Sequence, residues 1–97
     1  MEKRLTGQAN TDSYSKVNEF MQSNQAELIR KRIRGDSLYQ TWFFNGVAVD
    51  YNFANYQSPS WGDVVIRLLG NSETISEVEK IILKSSKELG LDLKITE

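Results

Sequence analysis

The chain predicts a two-layer α+β sandwich in the order α-β-β-β-α-β. Two helices pack a four-stranded, mostly antiparallel sheet whose last two strands are parallel. Three observations predict it. Asn45-Gly46 sits between two alternating, largely apolar runs, which is the pattern of a tight hairpin. Residues 71 to 89 carry Ile75, Val78, Ile82 and Leu89 at helical spacing. The "LDLKIT" that follows alternates with a period of two, as a half-buried strand does.

Taken in order, residues 1 to 10, "MEKRLTGQAN", are polar and without periodicity. They are expected to form a flexible tail ahead of a single domain over 11–97. A first helix is predicted over 12 to 34. Asp12 or Ser13 can accept an otherwise unpaired backbone N–H as N-cap, and Tyr14, Val17, Phe20, Met21 and Leu28 share one side. "QSNQ" weakens its middle and marks residues 23 to 25 for a bend or break, and Gly35 is a natural stop.

Asn45-Gly46 as a two-residue loop sets the hairpin register. It pairs Phe44 with Val47, Trp42 with Val49, Gln40 with Tyr51 and Leu38 with Phe53. Leu38, Gln40, Trp42, Phe44, Val47, Val49, Tyr51 and Phe53 then share one nearly apolar face, which the helices should cover. Tyr39, Thr41, Phe43, Ala48, Asp50, Asn52 and Ala54 share the other, mixed face, expected to be open.

"NYQSPSWG" reads as a loop, and "DVVIRLL" (63 to 69) as a third strand, apolar enough on both faces to be central. In the second helix Thr74 and Glu77 have capping-box spacing, and Gly90 supplies the C-terminal turn. A strand, a helix and a strand joined by short connections predict a right-handed crossover between parallel neighbours.

Composition narrows the chemistry. The 97 residues contain no cysteine and no histidine. Disulfides and thiolate metal sites are excluded, together with histidine-based triads, phosphotransfer and metal ligation. No cofactor and no metal are expected. The acids show no calcium-loop spacing, and the one candidate acid pair is Asp50 with Asp63. "GDSL" at 35 to 38 matches the signature of an esterase family whose serine needs a histidine. Here it reads as a turn into a strand. The longest apolar runs are three residues, so no membrane partner is expected, and a cytoplasmic location fits the absence of cysteine and of a signal-peptide core.

The net charge is −1, but residues 1 to 34 carry seven basic and four acidic side chains, with the excess in "RKRIR". Arg30, Lys31, Arg32 and Arg34 can complement a helix C-terminus, or they can contact phosphates or an acidic partner. The order resembles that of double-stranded-RNA-binding domains, which implies phosphate contacts at the start of the last helix. The corresponding "SETISEVEK" is acidic. It also resembles that of type III secretion chaperones, which implies a small acidic dimer.

Tyr56 and Trp61 flank Pro59 in the polar loop, and Tyr39 and Phe43 lie on the open face. Aromatics are enriched at interface hot spots. The expectation is a non-catalytic protein-binding module, of the kind found in immunity proteins, antitoxins and enzyme inhibitors. An acidic inhibitor of a basic nuclease is one version. Its partner-binding residues would be Tyr39, Thr41, Phe43, Asp50, Asn52, Tyr56 and Trp61. RNA binding through residues 30–34 and a dimeric chaperone are the alternatives.

Overall fold

The computed structural model describes residues 1–10, 12–54 and 62–96. Its elements run β1 (Glu2–Ala9), α1 (Ser13–Ser23), β2 (Glu27–Arg34), β3 (Ser37–Phe44), β4 (Val47–Ala54), β5 (Gly62–Leu69), α2 (Ser72–Ser85) and β6 (Leu91–Thr96). The six strands form one sheet in the order β2-β3-β4-β5-β1-β6, and every neighbouring pair is antiparallel.

The central hairpin follows from its turn. Asn45 and Gly46 take φ of 52° and 77°, the left-handed pair that a type I′ turn requires. The register of β3 with β4 runs from Phe44↔Val47 to Ser37↔Ala54 without a break. Leu38, Gln40, Trp42, Phe44, Val47, Val49, Tyr51 and Phe53 are all buried. All but Gln40 join Val17 and Met21 of α1 and Ile75, Val78 and Ile82 of α2 in one core cluster. The buried Gln40 is satisfied: its Nε2 donates to Asn18 Oδ1 at 3.2 Å, and its Oε1 accepts from Trp42 Nε1 at 3.4 Å. Both helices cover this face of the sheet.

Three expectations are corrected. The first concerns the sheet, which has six antiparallel strands instead of four with a parallel last pair. β5 and β6 do run in the same direction, since each is antiparallel to β1, but β1 lies between them. The crossover through α2 therefore skips one strand.

The second correction concerns the N-terminal segment. Residues 2–9, expected as a tail, are the strand that fills this gap. The positions of β1 in register with buried partners are Lys3, Leu5, Gly7 and Ala9. Lys3 is held by Glu79 of α2, with Nζ 3.3 Å from Oε2. At Gly7 an added Cβ would lie 1.8 Å from the Asp92 carbonyl oxygen, so only glycine lets β6 approach. Leu5 is the one large apolar side chain turned inward, which hides the strand from a reading of hydrophobic alternation.

The third correction concerns the first helix. It ends at Ser23 instead of continuing to residue 34, and the segment carrying "RKRIR" is an edge strand. Gln25 adopts φ 61°; its N–H donates to Gln22 O at 3.0 Å, and Ala26 N–H donates to Met21 O at 2.9 Å. These two bonds are the Schellman closure, with glutamine where glycine is usual. Gly35, predicted as a helix stop, instead opens the Gly35-Asp36 turn of a second hairpin, at φ 57°.

Helix α2 begins one turn ahead of the predicted capping box. Asn71 Oδ1 accepts from Thr74 N–H at 2.9 Å, which makes Asn71 the N-cap. At its far end Leu91 N–H donates to Ser86 O at 2.8 Å around Gly90, which takes φ 71°. Asn10 N–H donates to Gly90 O, and the buried Ser13 hydroxyl donates to the same oxygen at 2.7 Å. These bonds tie the start of α1 to the start of β6. Among the described residues no helix is long and apolar enough to cross a membrane.

Candidate functional site: the open face of the sheet

Alternation along each strand decides what the uncovered face displays. Two rows cross it. One runs Arg30, Thr41, Asp50, Arg67, and the other runs Arg32, Tyr39, Asn52, Val65. Neighbours within a row are about 4.8 Å apart from strand to strand, so each row spans about 14 Å. Arg34 stands beyond them opposite Ser37.

Together these residues line a hollow of about 340 Å³. Four arginines stand around a single carboxylate, Asp50. Tyr39 remains 37% exposed at the hollow. Phe43, 49% exposed, lies along the same face of β3 opposite Glu27 and Ala48.

The hydrogen bonding around the hollow is incomplete. Arg67 Nη2 donates to Glu2 Oε1 at 2.8 Å, which leans the guanidinium toward β1. Arg67 Nε and Asn52 Oδ1 are both buried and have no hydrogen-bond partner among the described residues. An unsatisfied buried donor or acceptor costs about 1–3 kcal/mol. Two of them on the walls of one polar hollow are groups that a ligand or ordered water can satisfy.

The structure joins two sets of residues that sequence reasoning kept apart. Tyr39, Thr41, Phe43, Asp50 and Asn52 share one face, and Arg30, Arg32 and Arg34 extend it from the adjacent strand. Lys31 is not part of it. Lys31 pairs with Gln40, and its ammonium sits 5.3 Å from the centre of the Tyr14 ring on the helix side. Tyr56 and Trp61 lie outside the described residues.

Arg67 was not nominated from the sequence. Its place opposite Asp50 depends on the β4–β5 register, for which no local signal exists. The same register separates Asp50 from Asp63. The two lie on neighbouring strands but four residues apart in alignment, about 13 Å, so the nominated acid pair is not assembled. The sign of the hollow also argues against a basic partner, because its arginines would repel one.

Among the described residues no group of three or more acidic side chains is placed to hold a metal ion. The buried Tyr51 phenol has its pKa pushed up by loss of hydration, and its hydroxyl contacts Met21 Sδ at 3.7 Å. Tyr51 belongs to the core and is not an acid or base of the open face. No protein-family model, curated protein or solved structure matches this chain.

Proposed function

We propose that the chain is a non-catalytic binding module that holds a protein partner on the open face of its sheet. The partner presents carboxylates to the arginine-lined hollow, and the module acts as an inhibitor, antitoxin or immunity protein does, by occupying a surface. One observation carries this reading: Arg30, Arg32, Arg34 and Arg67 gather with Tyr39, Asp50 and Asn52 on a face that, among the described residues, no helix covers. Arginine and tyrosine are the side chains over-represented at interface hot spots, where a planar guanidinium can take a carboxylate by two parallel bonds. Asp50 and Asn52 add acceptors that orient a peptide surface. The absence of histidine and cysteine from the chain, and the separation of Asp50 from Asp63, support a role without bond-making chemistry.

Site-specific cross-linking tests this. A photo-reactive residue is placed at Thr41 or Phe43 on the open face, and at Glu77 or Lys80 on exposed positions of α2. In the native host, the open-face positions should yield a discrete protein adduct and the helix positions none. Equal adducts from both sides, or adducts with nucleic acid alone, would contradict the proposal.

A further inference from the structure

Strand β2 is the outermost strand of the sheet, and all eight of its residues are exposed. Among the described residues, no strand pairs with its outer edge. Leu28, Ile29 and Ile33 on it are 41%, 58% and 53% exposed. An edge of this length displays backbone donors and acceptors in the pattern that another strand needs.

We propose that β2 receives an extended acidic segment of the protein partner by strand addition, with its carboxylates set over Arg30, Arg32 and Arg34. The inference rests on the open-face reading above and gives that partner its conformation and its charge. Alternation supplies the first argument. Arg30, Arg32 and Arg34 pair with open-face residues of β3, whereas Leu28 and Ile33 pair with the buried Trp42 and Leu38. A strand alternating acidic and apolar residues satisfies both sides at once.

The second argument is selection against a second copy. β2 carries four basic side chains and one acid, so antiparallel self-pairing brings like charges together across the seam. The same charges that keep copies apart admit an acidic strand, which is specificity by repulsion of the wrong partner. The third argument is length. The register breaks between Leu28 and Arg30, where Ile29 bulges, and the regular stretch runs from Arg30 to Arg34. The added segment therefore pairs over about five residues. Lys31 does not perturb this pattern, since it is engaged with Tyr14 on the helix side.

The test uses the full isotope-labelled chain and two ten-residue probes, one alternating glutamate with valine and one alternating lysine with valine. The glutamate probe should bind saturably and slow amide exchange at alternate residues of β2. It should be preferred over the lysine probe by about tenfold or more, as three cross-strand charge pairs allow. Arg32→Glu with Arg34→Glu should reverse the preference. Arg32→Gln alone, which adds no acid to the edge, should reduce it and serves if the double reversal fails to fold.

Binding of the glutamate probe without slowed β2 exchange would overturn strand addition, as would a preference unaffected by these variants. Equal binding of an oligothymidylate would also overturn it, by reducing the site to a general anion attraction. If Thr41 cross-links still form after any of these results, the open-face reading survives and the edge proposal alone fails.

Discussion

Single residues in this protein answer to contacts that their local sequence does not announce. Gly7 is the sharpest case, because the space its Cβ would need is filled by the backbone of β6. Gly7→Ala should destabilise the fold by about 1–3 kcal/mol, the range for forcing atoms into a packed site. Urea unfolding checks this, and a midpoint equal to that of the parent protein would show that β6 does not approach as described. Tyr51 makes a prediction about pH. Burial disfavours its phenolate, so its folded-state pKa lies above the unfolded value of 10.0. Its stabilising contribution is then complete below about pH 10 and declines above it, by at most about 1.4 kcal/mol per pH unit. Tyr51→Phe should keep most of the stability at neutral pH and remove this part of the alkaline decline. Unfolding curves at pH 7 and pH 11 compare the two proteins.

At the scale of elements, legibility followed how much apolar surface each element buries and on which period. The β3–β4 hairpin was readable to the residue, because Asn45-Gly46 sets its register and eight side chains alternate into the core. β1 was not, because its inward positions are a lysine, a leucine, a glycine and an alanine. β2 was not, because an edge strand that buries none of its residues leaves no alternation to read, and its Leu28 falls on the same helical side as Tyr14, Val17 and Met21. The candidate site was legible in halves: its face came from the hairpin, and its arginines were placed on a helix end.

Two element-level predictions follow from these assignments. Trp42→Ala should cost about 3–5 kcal/mol as a core truncation, whereas Phe43→Ala, one residue away on the open face, should stay within about 1 kcal/mol. Thermal unfolding of both variants checks the pair, and equal losses would contradict the division of faces. At the end of α1, Gln25→Gly should raise stability by about 0.5–1 kcal/mol by relieving a left-handed glutamine, to the extent that this relief exceeds glycine's greater unfolded-state entropy. A lowered denaturation midpoint would contradict the closure described there.

Among the described residues, both helices lie on one face of the sheet, and the arginine-lined hollow lies on the other. Inserting β1 between β5 and β6 widens the sheet to six strands, and breaking the first helix at Gln25 delivers the arginines to its edge. The net charge of −1 conceals this, because β2 carries four of the twelve basic side chains against one acid, while the rest of the chain carries eight basic and twelve acidic side chains. The open face is thus a surface of local charge and exposed aromatic area on a nearly neutral protein, which is how association can be directed without raising overall charge.

The measurement that bears most directly on this account is the affinity of the protein recovered by cross-linking at Thr41 for the double variant Arg32→Glu, Tyr39→Ala, taken together with the variant's melting temperature. Affinity should fall by about a hundredfold or more, a loss of about 2.7 kcal/mol. The melting temperature should stay within a few degrees of the parent protein, as expected for changes that leave the core intact. Unchanged affinity, or a loss that merely follows unfolding, would contradict the claim that the open face is where this protein acts.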